Sequence, residues 1–162
     1  MNIFYLDDSS ELAAKYHCDK HVVKMILETT QLLCTAHRII DDNNNDILYK
    51  KTHQNHPSAV WVRESKGNYE FAYELFIELC KEYTFRYGKT HKTQEKLQEI
   101  LRSFPTKIPD IGMTKIPLCM PEEYKTSDPI ESYRSYYTSK QNAFKMVWTK
   151  REKPNWFISK EQ

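Results

Sequence analysis

Five side chains that can bind or transfer protons fall on one line of a helix predicted over residues 19–40 and the turn before it. At about 100° per residue, one narrow strip of that surface contains His17, Lys20, His21, Lys24 and Glu28. A carboxylate beside amines and imidazoles suits acid–base chemistry on a substrate that carries phosphate or sugar. The strip is therefore the first candidate site.

The rest of that helix is apolar over well more than half of its circumference, with core positions predicted for Val22, Val23, Ile26 and Leu27. An ordinary surface helix has a narrower apolar stripe. We therefore expect this helix to be buried on most sides, with its polar strip lining a cleft. The alternative is that the strip is the solvent-exposed face, and the pattern favours neither.

Roles within the strip follow from side-chain chemistry. Glu28 is its only carboxylate and the predicted general acid/base. Lys24 is predicted to stabilise an anion or, if burial favours its neutral form, to act as an amine nucleophile. His21 completes the predicted catalytic set, and His17 and Lys20 are predicted to bind substrate.

A second long helix is predicted over about residues 58–87, ending at Gly88, a residue common just after helix ends. Three polar side chains share the apolar packing face of this helix: Glu64, Ser65 and Asn68. Buried polar groups need partners, so these residues either bond a neighbouring loop or face the polar strip across the cleft. The second alternative makes Glu64 and Asn68 candidate substrate-binding residues.

His53 and His56 flank the turn that precedes the second helix. Anions are attracted to helix N-termini by free amides and by the helix dipole. We therefore predict that His53 and His56 bind a phosphate, with Lys20 or Lys24 opposite. The alternative, that both histidines only cap the helix, has about equal weight.

Aromatic rings and cations alternate near the C-terminus. They occur in YRSYY, at Trp148 and in PNWF, beside Lys145, Lys150, Arg151 and Lys153. Stacking rings interleaved with cations is how single bases are held, which makes Trp156 a candidate base-stacking residue. Tyrosines at helical spacing are more often part of a core.

The periodicity predicts an all-α chain that forms one compact domain over residues 1–162. It has two long packed helices, shorter C-terminal helices and a proline-rich loop over residues 104–127. Asp19 and Asp128 are the expected N-caps of the first long helix and the last helix. The last helix is expected to end near Trp148.

Several classes of site and location are not supported by the sequence. There is no HExxH pattern, no glycine-rich phosphate loop and no nucleophile elbow, so we predict neither a metal nor a cofactor. The start MNIFYLDDSS lacks the features of a signal peptide, and no stretch is apolar enough for a membrane span. We expect a cytoplasmic protein, in the host cell if it is viral, with no membrane partner.

The tail, CMPEEYKTSDPIESYRSYY and then KREKPNWF, resembles the end of the phage pyrimidine-dimer DNA glycosylases of the endonuclease V type. The start MNIFYLDD and the stretch DKHVVKMILE are also similar to uncharacterised tailed-phage proteins. The glycosylase resemblance implies a small all-helical fold, with an essential glutamate on the first long helix, where this chain has Glu28. It also implies cleavage at pyrimidine dimers through a Schiff-base glycosylase/lyase mechanism.

One feature departs from that family, whose nucleophile is the α-amine exposed when the initiator methionine is removed. Here Asn2 predicts that Met1 is retained, so we expect lyase activity through a terminal amine to be absent. The residues favour a phage-type enzyme acting on a nucleic acid or nucleotide at a glycosidic or phosphodiester bond. The alternative is an anti-defence protein that binds or cleaves a cyclic-nucleotide immune signal.

Overall fold

The computed structural model describes residues 1–160, which form six α-helices and no strand. The helices are α1 (Ser10–Tyr16), α2 (Asp19–Asp41), α3 (Pro57–Glu64), α4 (Lys66–Tyr87), α5 (Lys92–Leu101) and α6 (Pro129–Ser139). Two short 3-10 helices cover Glu122–Tyr124 and Lys140–Asn142. The predicted all-α class is confirmed.

The two longest helices, α2 and α4, form the largest interface of the fold. Val22 and Ile26 of α2 and Phe76 and Leu79 of α4 are fully buried in one shared core. α1, α3 and α5 pack around this pair. The predicted face-to-face packing of two long helices is therefore confirmed. Because α4 covers one side of α2, a cavity can form only along the sides of α2 that α4 leaves uncovered.

The predicted second helix over residues 58–87 is in fact two helices, α3 and α4, separated at Ser65. Ser65 has an extended backbone (φ −155°, ψ 156°), and its hydroxyl accepts a hydrogen bond from the Asn68 amide at 3.0 Å. This serine therefore starts a new helix as its N-cap. The apolar spacing continues across the break, which is why the periodicity alone predicted one helix.

The loop segment of residues 109–114 packs closely against the start of α4, and the space beside Gly67 does not admit a side chain. The Gly67 amide donates to the Ile111 carbonyl at 3.1 Å. A Cβ at this position would overlap the Met113 nitrogen and the Gly112 carbonyl carbon. Both are backbone atoms, so they cannot move aside as a side chain would.

Gly67→Ala should therefore lower the free energy of unfolding by about 1–3 kcal/mol, the usual effect of overpacking. Urea unfolding monitored by circular dichroism measures the change. Gly112→Ala is the matched control, because a Cβ there meets no atom within 4 Å. Equal stability of both variants would contradict the close approach at Gly67.

Asp19 does not cap α2, contrary to the prediction. The N-cap position is held by Cys18, whose side chain makes no capping bond. The Asp19 carboxylate instead pairs with the Arg86 guanidinium at 3.0 Å and accepts from the Thr149 amide at 2.9 Å. Because Arg86 is buried on α4, Asp19 joins three separated parts of the chain.

The last helix ends at Ser139 and not near Trp148 as predicted. Its start is as predicted, since Asp128 accepts from the Ile130 amide at 3.0 Å. The segment after the helix bonds to the α1–α2 junction: the Trp148 indole donates to the Tyr16 carbonyl at 2.8 Å. These contacts replace the helical hydrogen bonds that the prediction assumed.

Two residues predicted to be core are exposed. Val23 is 39 % and Leu27 is 40 % exposed on α2. The wide apolar arc of this helix therefore extends beyond the surface that the other helices cover. Among residues 1–160, no helix combines the length and the apolar character that crossing a membrane requires.

Candidate functional site

A cavity of about 280 Å³ lies where the N-terminal arm, α2, the turn before α3 and the end of α6 meet. All three predicted catalytic residues line it, namely His21, Lys24 and Glu28. His56, one of the predicted phosphate-binding residues, lines it from the start of α3. The structure thus brings together four of the ten predicted site residues.

The α-amino group of Met1 also lies in this cavity, which the sequence did not indicate. Its nitrogen is 3.3 Å from Glu28 Oε1, and Lys24 Nζ is 3.6 Å from Glu28 Oε2. The Glu28 side chain is only 14 % exposed, whereas that of Lys24 is 59 % exposed. The single carboxylate at the cavity therefore lies between two amines, one sheltered and one reaching into solvent.

The N-terminal arm is anchored, so the position of the α-amine is defined by packing. Ile3, Phe4 and Leu6 are buried in the core. Asn2 Nδ2 donates to the Cys119 carbonyl at 2.8 Å. An apolar run that packs without forming a strand thereby fixes the amine beside Glu28.

His56 is the N-cap of α3, as the capping alternative required, and it also faces the cavity. Its Nδ1 accepts from the Ser58 amide at 3.1 Å. The pKa of His56 is lowered by burial and by the positive charge of the Met1 α-amine. A neutral ring whose Nδ1 accepts must carry its hydrogen on Nε2.

His21 is held in a neutral state by its surroundings. The pKa of His21 is lowered to about 3, chiefly by burial, with further contributions from His17 and from the ammonium groups of Lys140 and Lys24. Its Nδ1 lies 2.8 Å from the Tyr137 hydroxyl. His21 is therefore an uncharged hydrogen-bonding group at neutral pH.

The end of α6 supplies two further lining residues, Tyr136 of the YRSYY stretch and Lys140, which was not among the predicted site residues. Lys140 Nζ lies 4.5 Å from the Tyr136 ring centre and 5.2 Å from the Phe4 ring centre. Both distances fit cation–π contacts. The cavity therefore contains a lysine ammonium group and aromatic rings as well as the amine–carboxylate pair.

Two other residues of the strip lie outside the cavity wall. His17 is fully buried, and its Nδ1 is 2.6 Å from the Ala13 carbonyl. Lys20 is exposed, with its Nζ 4.5 Å from the Phe144 ring centre. His17 is the C-cap of α1 and precedes the first residue of α2. It therefore does not lie on the polar strip of α2 from which its binding role was predicted.

The buried histidines predict a loss of stability in acid. The pKa of His17 is lowered to about 4 by burial and that of His21 to about 3, against 6.5 in an unfolded chain. Between about pH 6.5 and pH 4 the unfolded chain binds more protons, so stability is full above pH 6.5 and falls as the pH falls.

Each histidine should contribute a slope of about 1.4 kcal/mol per pH unit in this range. Urea unfolding at pH 7, 6 and 5 measures the slope. His17→Gln should make it shallower, since glutamine does not titrate. A slope unchanged by this substitution would contradict the buried neutral state of His17.

Three of the predicted substrate-binding residues lie away from the cavity. Glu64 is exposed at the end of α3. Asn68 is fully buried and exchanges two hydrogen bonds of 2.8 Å with Thr114, as the loop-bonding alternative required. His53 is exposed in a turn, where its Nδ1 lies 2.8 Å from the Thr52 hydroxyl.

Trp156 lines a second cavity of about 550 Å³ and not the first. Its ring packs edge-on against Tyr16 at 5.6 Å and lies 5.3 Å from the Arg134 guanidinium. Its indole N–H is buried and makes no hydrogen bond to residues 1–160. The ring therefore packs on the α1–α6 surface, apart from the amine–carboxylate pair.

Over the part of the chain that the structure describes, no three His, Cys, Asp or Glu side chains are grouped as metal ligands would be. Comparison of the chain with protein-family models, with curated proteins and with solved structures gives no match in any of the three. Function is therefore inferred from the cavity itself.

Proposed function

We propose that this protein is an enzyme that cleaves a glycosidic bond in nucleic acid, with the α-amine of Met1 as nucleophile and Glu28 as its proton partner. The supporting observation is the 3.3 Å contact between this amine and a sheltered carboxylate inside a cavity. α-Amino groups lose their proton more readily than lysine ammonium groups. A carboxylate in direct contact is placed to accept that proton.

The chemistry follows from that pair. Glu28 takes a proton from the Met1 ammonium group, and the nitrogen lone pair then bonds to C1′ of the sugar. The bond from C1′ to the base breaks with its electron pair leaving on the base, which takes the proton from Glu28. The nitrogen next gives a proton to Glu28, which passes it to O4′ as the C1′–O4′ bond opens. The product is a protonated C1′=N imine.

The other lining residues suit a nucleotide unit. Lys24 and Lys140 supply positive charge for a phosphate. The half-buried ring of Tyr136, which lies beside Lys140, offers apolar surface to a base. Binding through charge and stacking would hold C1′ near the amine, as covalent catalysis requires.

This proposal replaces the expectation that a terminal amine takes no part. That expectation rested on Asn2, which favours retention of Met1. Retention leaves an amine on Met1 itself, and the anchored arm places this amine at Glu28. The size of the cavity, about 280 Å³, lies near the lower end of ligand pockets and suits one base or sugar better than a whole cyclic dinucleotide.

Reduction with borohydride tests the proposal, because it converts the imine into a stable amine and leaves DNA attached to the protein. We expect a covalent adduct with duplex DNA that contains a cyclobutane pyrimidine dimer or an abasic site, and none with undamaged DNA. Tryptic mapping by mass spectrometry should place the adduct on the peptide that begins at Met1. Intact mass of the protein first verifies that its α-amine is free.

A second asparagine inserted between Met1 and Asn2 provides the matched control, since an asparagine at the second position still favours retention of Met1 and the insertion moves the amine while keeping every other cavity residue. Trapping should be lost in this variant. An adduct on Lys24 or Lys140 would overturn the assignment of the nucleophile. The anti-defence alternative would be favoured if the DNA stays intact without adduct and a cyclic nucleotide is either cleaved, or bound by the protein and released unchanged on denaturation.

A further inference from the structure

Behind the cavity, the hydroxyl of Tyr137 is the centre of a buried hydrogen-bond network. Tyr137 is fully buried on α6. Its oxygen lies 2.9 Å from the Cys18 amide nitrogen, 2.8 Å from His21 Nδ1 and 3.3 Å from Cys18 Sγ. One hydroxyl thus contacts the N-cap of α2 and a side chain that lines the cavity.

The direction of these hydrogen bonds follows from the chemistry of each group. The Cys18 amide can only donate, so it donates to the Tyr137 oxygen. Burial raises the pKa of Tyr137 far above its ordinary value, so the hydroxyl keeps its hydrogen. Of the two acceptors within reach, His21 Nδ1 is closer, and thiol sulfur is a weak acceptor. The hydroxyl hydrogen therefore points at His21 Nδ1.

We infer that Tyr137 is a positioning residue that holds His21 in the Nε2–H tautomer, so that His21 presents a neutral hydrogen-bond donor to the cavity. In a neutral imidazole only one nitrogen carries hydrogen, and here Nδ1 is the acceptor. Among residues 1–160 no partner bonds Nε2, although His21 lines the cavity. This inference rests on the proposed function, in which the donor would bind an oxygen of the nucleotide unit.

The surroundings keep this donor constant in both charge and direction. The lowered pKa of His21 means that the ring stays neutral across the range in which enzymes usually work. The Phe4 and Phe144 ring centres lie 5.1 Å and 5.4 Å from that of His21. Packing against these two rings restricts the His21 ring, so its Nε2–H is oriented before a ligand arrives.

The tautomer of His21 can be read directly by nitrogen-15 NMR of the imidazole rings, without any substrate. In the wild-type protein at pH 7, we expect Nε2 of His21 in the protonated range of shifts and Nδ1 in the unprotonated range. In Tyr137→Phe, we expect the Nδ1 signal to move towards the protonated range, because its donor is lost. Circular dichroism verifies that the variant is folded.

Tyr69→Phe is the matched control, since Tyr69 is also a buried tyrosine in contact with a histidine, at 2.8 Å from His37 Nε2. It should change the His37 signals and leave those of His21 unchanged. A wild-type His21 protonated on Nδ1 would overturn the inference, and this result needs no variant. A folded Tyr137→Phe variant with an unchanged tautomer would also overturn it. If borohydride trapping fails but the expected tautomer is found, the proposed glycosidic function is wrong, whereas the assignment of His21 as a hydrogen-bond donor is supported.

Discussion

Glu28→Gln should slow both borohydride trapping and release of the base by about 10²–10⁴-fold, the usual effect of losing a group that transfers a proton. Glutamine keeps the size of Glu28 and can still accept a hydrogen bond from the Met1 amine. It can neither take a proton from that amine nor pass one to the departing base and to O4′. Base release under single-turnover conditions, measured by mass spectrometry, gives the rate.

The control for this prediction is Glu11→Gln. Glu11 pairs with Lys15 one turn away on α1, as Glu28 pairs with Lys24 on α2, but its side chain is exposed and outside the cavity. We expect the activity of the Glu11→Gln variant to equal that of the wild type. An unchanged rate in Glu28→Gln would show that the carboxylate takes no part in proton transfer, and the amine would then need another base.

The part of the site that lies on one helix could be predicted from the sequence. The relation between His21, Lys24 and Glu28 depends only on the rise and turn of α2, which are the same in every helix. That the strip faces a cavity could not be predicted, because the pattern shows that a side of α2 is polar but not what lies opposite. The apolar pattern likewise does not show which apolar positions of α2 are covered by other helices, and Val23 and Leu27 are exposed.

The residues that complete the site come from distant parts of the chain. Met1, Tyr136 and Lys140 share the cavity with Glu28 because the N-terminal arm and the end of α6 pack beside α2. Contacts between such separated parts of the chain follow no spacing rule. The two alternatives for Asn68 could not be separated from the sequence for the same reason: its partner, Thr114, lies in a loop whose path depends on tertiary packing.

The break between α3 and α4 had a local signal that the apolar pattern concealed. Ser65 is a good N-cap, and Gly67 follows it inside the first turn. Either residue alone is tolerated within a helix. The hydrogen bonds from the 109–114 segment make the break favourable, since they satisfy amides that a helix start leaves free.

Arg86→Met should lower the free energy of unfolding by about 3–5 kcal/mol, the range for breaking a buried ion pair by removing one partner. Arg86 is fully buried on α4, 3.0 Å from both Glu82 and Asp19. It also donates to the His17 carbonyl at 2.8 Å, at the end of α1. Methionine fills much of the space but removes the Arg86 donor from all three oxygens, and only Glu82 and Asp19 keep other donors among the described residues, from Arg151 and Thr149.

Urea unfolding measures the loss, and Arg63→Met is the control, because Arg63 donates to one group among residues 1–160, the Gln54 carbonyl at the surface. The double variant Arg86→Met, Glu82→Met should be more stable than Arg86→Met alone, since it removes the carboxylate that the single substitution leaves under-paired. Equal stability of Arg86→Met and Arg63→Met would contradict the structural role of this ion pair.

Arg86→Met should also destabilise the cavity wall, because Arg86 joins the end of α1 to Asp19 at the start of α2. The same junction contains Cys18, whose amide bonds the Tyr137 hydroxyl that contacts His21. Amide hydrogen exchange in Arg86→Met should therefore rise first at the first turn of α2, before the centre of α2 and α4 opens. Uniform exchange along α2 would show that this charged cluster stabilises the whole fold and does not specifically hold the first turn, where His21 enters the cavity.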